Sequence, residues 1–122
     1  MDSPHKGKTG LKRLWNAFIF SMAGFHAAYK HEDAFRMEVL FALVMIPVAL
    51  WLPVTNIGKA LMIGSILLLI TMELINSAIE AAVDHTSLDT HPLAKRAKDI
   101  GSAAVFVSVI NVLVVWGLVL TD

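Results

Sequence analysis

Three polar side chains interrupt a long apolar segment in the middle of the chain. Glu73, Asn76 and Glu80 follow one another at steps of three and four residues. Because an α-helix advances about 100° per residue, these steps place all three on one face, with Ser77 and Asp84 at its margins. Carboxylates in such a stripe can accept a proton or bind a metal ion. The stripe is therefore the first candidate for a chemical site.

The two glutamates of the stripe lie at different depths. Counted from Lys59 at the opposite interface, Glu73 lies about 20 Å along a helix and Glu80 about 10 Å further. Glu73 is therefore expected inside hydrocarbon, where an exposed charge is costly and a poorly hydrated carboxylate is a strong base. The two are too far apart to bind one small cation together, so we expect them to divide the roles of base and metal ligand. Interfacial Glu32 is a candidate second ligand beside Glu80, since Mg²⁺ prefers several carboxylate or phosphate oxygens.

The composition indicates a small integral membrane protein. Hydrophobic residues make up 57% of the 122 residues and charged residues only 16%, which is far more apolar than an average soluble domain. The formal net charge is zero, so nothing predicts a nucleic-acid partner. Cysteine is absent, which excludes disulfides and thiolate chemistry.

The order of apolar and charged segments predicts an all-α fold with three transmembrane helices and an amphipathic surface helix. A run of 20 residues, 39–58, carries no charge and is long enough to cross about 30 Å of hydrocarbon. Apolar residues at helical spacing near the amino terminus are typical of a helix lying on a membrane. We predict one domain, 1–122, with a mobile tail (1–10), the surface helix (11–30), transmembrane helices at 38–54, 57–84 and 100–121, and a loop (85–99).

The distribution of basic residues predicts the orientation. Six Lys or Arg residues precede the first transmembrane helix and three lie in the loop 85–99, whereas only Lys59 lies on the other side. By the positive-inside rule, the amino terminus and this loop are cytoplasmic and the carboxyl terminus is outside. Arg96 and Lys98 of the loop can then meet nucleotide phosphates. No glycine-rich phosphate-binding loop is present in the sequence, so metal and basic side chains must hold the phosphates.

Three motifs carry a resemblance to a known family. ELINSAIEAAVD (73–84), AKRAKDIGSAAV (94–105) and EDAFRME (32–38) resemble the prokaryotic diacylglycerol kinase family, which includes undecaprenol kinases. The resemblance covers about residues 10–122, and the two longer motifs are highly specific. It implies a homotrimer of three-span subunits in the bacterial inner membrane, with a periplasmic carboxyl terminus and active sites shared between subunits. It also implies transfer of the γ-phosphate of ATP, with Mg²⁺, to membrane diacylglycerol to give phosphatidic acid.

The resemblance also implies roles for individual residues. Glu73 would be the catalytic base, and Glu32 and Glu80 would bind Mg²⁺. The residues implied for ATP are Arg13, Phe20, Glu32, Glu80, Asp89, His91, Lys98 and Asp99. The residues implied for the lipid are Arg13, Ser21, Glu38, Glu73, Asn76 and Ser102. The chain departs from the family pattern at Phe20, Met22 and Ala23, where tyrosine, tryptophan and lysine are common.

Three other functions are weighed against diacylglycerol kinase activity. An undecaprenol kinase would use the same machinery on a polyprenol, and the sequence GSAA at 101–104 favours diacylglycerol over it. A small proton-coupled transporter would need a membrane carboxylate, but not the paired Glu32 and the basic loop. In a non-catalytic assembly subunit, Glu73 and Asn76 would serve only as polar contacts between helices.

Overall fold

The structure is a computed structural model that describes residues 9–86 and 91–122. It contains four helices: α1 (Gly10–His31), α2 (Asp33–Trp51), α3 (Asn56–Thr86) and α4 (Pro92–Leu120). Helices α2, α3 and α4 are long and apolar enough to cross a membrane. The prediction of an all-helical chain with three candidate membrane helices is confirmed.

The helix ends differ from the predicted bounds at two charged segments. Helix α2 begins at Asp33, not at 38, because the charged junction is itself helical and an acidic first residue suits a helix amino terminus. Helix α4 begins at Pro92, so residues 92–99 of the predicted loop are helical; His91 Nδ1 accepts a hydrogen bond of 3.1 Å from Leu93 N, and proline suits the first turn. The predicted tail lies outside the described residues up to position 8, as do residues 87–90 of the predicted loop.

The chain divides into two compact units, residues 1–33 and 34–122. The described part of the first unit is dominated by α1, whose apolar side chains are largely exposed. The rings of Trp15 and Phe18 stack with their centroids 5.7 Å apart. Lys30 and His31 lie in the last turn of α1, where basic side chains interact favourably with the helix dipole. The location of α1 on the membrane surface stays a prediction.

The second unit is built on the packing of α3 against α4. Buried residues of α3 recur at steps of three and four, while Ala94, Gly101 and Ser108 of α4 are buried at intervals of seven. Such spacing keeps one face of each helix against its partner, and small residues let the two backbones approach closely. Helix α2 adds Ala42 and Ala49 to the same core. The core of this unit is therefore a narrow seam between helices, with most other apolar side chains exposed.

A tryptophan hydrogen bond fixes α3 against α4. The indole Nε1 of Trp116 donates to the backbone carbonyl oxygen of Met62 at 3.2 Å. The same carbonyl accepts a hydrogen bond of 2.7 Å from Ser65 Oγ. All three residues are buried in the described structure, so the Trp116 contact sets which turns of the two helices face each other.

Replacing Trp116 with phenylalanine tests this interhelical bond. We expect Trp116→Phe to lower the free energy of unfolding by about 1–2 kcal/mol, because it removes the Nε1 donor and leaves a small void. Reversible unfolding in mixed detergent micelles measures the change. The matched control is Trp51→Phe: Trp51 is 83% exposed, so its replacement should change stability by less than about 0.5 kcal/mol. Equal losses in the two variants would contradict the assigned role of Trp116.

Candidate functional site

The polar stripe of α3 continues the buried apolar stripe of the same helix. Met62, Ile66 and Leu69 belong to the core, and Glu73 and Asn76 follow at the same helical spacing. Glu73 is only 5% exposed and Asn76 only 9% exposed. A carboxylate on a membrane helix is costly unless it faces protein or water. The packing that buries the apolar seam therefore also turns Glu73 away from lipid.

Glu38 of α2 faces Glu73 of α3. It lies on the buried face of α2, between Phe35 and Ala42, and its carboxyl is within hydrogen-bonding reach of the Glu73 carboxyl. Two carboxyl groups can be hydrogen-bonded only when one of them carries a proton, since an ionised carboxylate has no donor. A hydrogen bond between the two carboxyls would therefore need one shared proton.

The Glu38 carboxyl also has an oxygen with no partner. Its Oε2 atom is buried and accepts no hydrogen bond within the described residues. A buried acceptor without a donor is unfavourable unless another molecule supplies one. This Glu38 oxygen therefore remains available as an acceptor.

Asn76 links the buried part of the stripe to its predicted cytoplasmic end. Its Nδ2 donates a long hydrogen bond of 3.4 Å to Oε1 of Glu80, which is half-buried. A donor on one oxygen orients the carboxylate and leaves its other oxygen for a second partner. Asn76 Oδ1 is buried and has no hydrogen-bond partner within residues 9–86 and 91–122.

Two ion pairs lie where α3 ends and α4 begins. Lys98 Nζ is 2.9 Å from Asp84 Oδ1, which joins the start of α4 to the end of α3. Lys95 Nζ is 2.7 Å from Asp99 Oδ2, one helical turn along α4, and both of these side chains are exposed. An exposed pair contributes little to stability, so Lys95 and Asp99 remain able to rearrange around an anion.

A cleft of about 420 Å³ runs along the first turns of α4. Its walls combine the basic side chains of Lys95 and Arg96 with the apolar side chains of Ile100 and Ala103. Asp99 also lines it, so one residue predicted for ATP lies in a basic, open cleft at the predicted cytoplasmic end of the unit.

The structure brings together some of the predicted site residues. The second unit places Glu38 against Glu73 and Asn76 against Glu80, and it holds Lys98 beside Asp84.

The other predicted residues are placed as follows. Ser102 is exposed on α4 and His91 uses Nδ1 to cap that helix. Arg13, Phe20, Ser21 and Glu32 belong to the first unit; there, Ser21 Oγ donates to the carbonyl of Ala17 at 2.8 Å. Asp89 lies outside the described residues. The roles predicted for all seven residues stay predictions.

Two contacts of the site were not predicted from the sequence. Asp84 was placed only at the margin of the stripe, yet it pairs with Lys98, which lies 14 residues further along the chain and across the connection between α3 and α4. Gly101 packs directly against the Asn76 side chain. The sequence signal for that contact is the run of small residues GSAA at 101–104, which allows close approach of helices but does not specify the partner residue.

The carboxylates fit a magnesium ion that brings its own phosphate ligands. No group of three or more His, Cys, Asp or Glu side chains that could hold a metal occurs in the described part of the chain. Mg²⁺ in proteins commonly uses one or two carboxylates, with phosphates and water completing its octahedron. Glu80, oriented by Asn76, offers one such carboxylate. The residues therefore suit a metal that arrives with a nucleotide.

Comparisons with known proteins give a consistent result. The family model described as prokaryotic diacylglycerol kinase matches residues 19–120. A diacylglycerol kinase of Pseudomonas aeruginosa is 54% identical over 118 residues, covering 97% of this chain and 96% of its own length. A diacylglycerol kinase of Haemophilus influenzae is 45% identical and covers 89% of this chain and 92% of its own. A diacylglycerol kinase of Escherichia coli is 41% identical, with 92% of each chain covered.

Coupling between the two carboxyl groups is measurable in a double-mutant cycle. Glu38→Gln, Glu73→Gln and the double variant should show an interaction free energy of about 0.5–3 kcal/mol, because residues in direct contact are not additive. Reversible unfolding in mixed micelles measures all three.

The control cycle pairs Glu38→Gln with Trp51→Phe. These residues are separated by 13 positions of one helix, or about 20 Å, so their effects should add within about 0.5 kcal/mol. The same additivity for the Glu38 and Glu73 variants would show that the two carboxyls do not interact.

Proposed function

This chain belongs to the prokaryotic diacylglycerol kinase family, and on that premise we propose that it transfers the γ-phosphate of ATP to the hydroxyl of diacylglycerol, giving phosphatidic acid. The observation that carries the proposal is the buried carboxyl pair of Glu38 and Glu73, which stands on two candidate membrane helices. A lipid hydroxyl reaches such a pair from the bilayer, whereas water-soluble acceptors do not. The relatives that share up to 54% identity over nearly the whole chain are diacylglycerol kinases, which favours the same acceptor here.

Glu73 is the proposed general base. As the lipid oxygen attacks the γ-phosphorus, the Glu73 carboxylate accepts the hydroxyl proton, and the bond from the γ-phosphorus to the bridging oxygen breaks to release ADP. Phosphoryl transfer needs mainly positioning, charge stabilisation and one group to accept this proton. Glu38, as the protonated partner, donates to one Glu73 oxygen and leaves the other to face the hydroxyl. Glu38 thus positions the base.

The proposed nucleotide end lies one to two turns further along α3. Glu80 and Glu32 would hold Mg²⁺, which would supply neutralisation of the phosphate charge. Lys98 exchanges its contact with Asp84 for a phosphate oxygen, and Asp99 lies in the cleft beside it. The remaining residues proposed for ATP are Arg13, Phe20, Asp89 and His91.

The distance between the two glutamates of the stripe supports phosphoryl transfer from ATP in the aqueous phase to a lipid hydroxyl in the membrane. Glu73 and Glu80 are separated by seven residues, about 10 Å along the helix axis. The buried and the half-buried carboxylate therefore bracket the depth at which a lipid hydroxyl meets the cytoplasm. Ser102, on α4, and Ser21 and Arg13, on α1, are proposed to contact the lipid, together with Asn76.

We also propose the assembly and orientation that the family resemblance implies. The chain is a multi-pass membrane protein of a prokaryotic family, with the amino terminus and the segment between α3 and α4 in the cytoplasm and the carboxyl terminus in the periplasm. Only 17% of the apolar windows of α2 and α4 is buried within the chain. Such exposed apolar faces suit contact with lipid and with a neighbouring copy of the chain. A homotrimer with shared sites provides both kinds of contact.

Replacing the base tests the mechanism. Purified Glu73→Gln in mixed micelles should lose about 100- to 10,000-fold in turnover of diacylglycerol with MgATP, because general-base catalysis contributes that much. The thermal stabilisation that MgATP gives the protein should remain, since the nucleotide end of the stripe is unchanged. Glu38→Gln is the matched control: glutamine still donates to Glu73, so its loss should be smaller. Full activity in Glu73→Gln would refute the assignment of the base.

The acceptor itself is tested by running undecaprenol in parallel. Wild-type protein should phosphorylate diacylglycerol with a higher kcat/KM than undecaprenol, assayed with the same MgATP and the same micelles. A higher value for undecaprenol would assign the chain to the polyprenol branch of the family. No transfer to either lipid would contradict kinase function and favour a transporter or an assembly subunit.

A further inference from the structure

Gly101 of α4 stands against the carboxamide of Asn76 on α3. A Cβ atom built on Gly101 would overlap Asn76 Oδ1 and would lie 3.4 Å from Asn76 Cγ and 3.8 Å from Ile79 Cδ1. The hydrogen that glycine carries in place of a side chain therefore points toward this oxygen. A Cα–H group is a weak donor to oxygen, and such contacts recur where helices pack closely. This oxygen has no conventional donor among the described residues.

The carboxamide has little freedom to move elsewhere. Asn76 is 9% exposed, and its Nδ2 donates to Glu80 Oε1. The reverse orientation of the amide would turn Oδ1 toward the Glu80 carboxylate and place two acceptors against each other. The orientation with Nδ2 on Glu80 therefore requires Oδ1 to point at α4, at the position where Gly101 leaves space.

We propose that Gly101 is a positioning residue, which seats the Asn76 carboxamide against α4 so that Nδ2 orients the Glu80 carboxylate toward the nucleotide-bound metal. A side chain at position 101 would push Asn76 Oδ1 away and break the Nδ2 contact. The metal part of this inference rests on the proposed function. The steric part does not, because it concerns only the fit between α3 and α4.

Two other helical glycines, Gly117 and Gly64, provide matched controls. A Cβ atom on Gly117, on the same helix, or on Gly64, on α3, would meet nothing within 4 Å. Alanine has a higher helix propensity than glycine at any interior position. Gly101→Ala and Gly117→Ala therefore gain the same local preference for helix, and any difference between them reports the contact with Asn76.

The test is a cycle of Gly101→Ala with Asn76→Ala, measured by thermal unfolding of the full chain in micelles. We expect Gly101→Ala to lower Tm in the wild-type background, and to leave Tm unchanged or raise it when Asn76 is alanine. Gly117→Ala should leave Tm unchanged or raise it in both backgrounds. If Gly101→Ala behaves like Gly117→Ala, or if its loss persists in full with Asn76→Ala, the positioning role is refuted.

A second readout separates positioning from simple packing. The increase in Tm caused by ATP is followed as Mg²⁺ is titrated, which requires no turnover. Gly101→Ala should raise the half-saturating Mg²⁺ concentration roughly tenfold or more, as loss of a group that orients a metal ligand does. Asn76→Ala should give the same increase, with no further increase in the double variant. An unchanged Mg²⁺ requirement in Gly101→Ala would refute the link to Glu80.

The two readouts also distinguish the inference from the function on which part of it rests. If the wild-type protein shows no Mg²⁺-dependent effect of ATP and no kinase activity, the proposed function fails, and the Tm cycle still decides whether Gly101 seats Asn76. If the wild-type protein is an active kinase and the cycle shows no coupling, the inference about Gly101 fails alone.

Discussion

The structure depends on one constraint: polar groups on helices that are apolar enough to cross a bilayer must find partners within the protein. Hydrocarbon offers no hydrogen bonds, so each carboxyl or amide on such a helix must face a neighbouring helix or water. In this chain the α3–α4 seam provides the neighbour. Its apolar half holds the helices together through contacts such as Trp116 to Met62. Its polar half uses the same packing to hold Glu73 and Asn76.

Joining fold and chemistry in one seam has an energetic consequence. The face of α3 that buries Ile66 and Leu69 also buries Glu73. The packing that forms the core therefore also positions the polar stripe. The Glu73 carboxyl is buried, and the carboxyl of Glu38 on α2 lies close to it. A carboxylate that is costly on an apolar helix is thereby kept buried within the protein.

The sequence was sufficient to predict what repeats along a helix. The spacing of Glu73, Asn76 and Glu80 follows from helical geometry alone, and the charge-free runs predict the three long apolar helices. The sequence was insufficient to locate the start of α4. Residues 92–99, predicted as loop, are helical because the His91 cap and Pro92 begin the helix there. Contacts between helices were also missed, since Asp84 with Lys98 depends on a register that no periodicity specifies.

The same limit explains why a glycine was the least visible part of the site. Carboxylates are easily recognised as candidate site residues in an apolar sequence because each one is costly there. A glycine has no side chain from which a role can be inferred. Its effect is steric and lies on the partner helix: Gly101 matters because α4 passes so close to Asn76 that a methyl group would not fit. Where two helices pack closely, a small residue on one helix leaves the space that a polar side chain of the other helix occupies. The chemistry of α3 is therefore specified partly by α4.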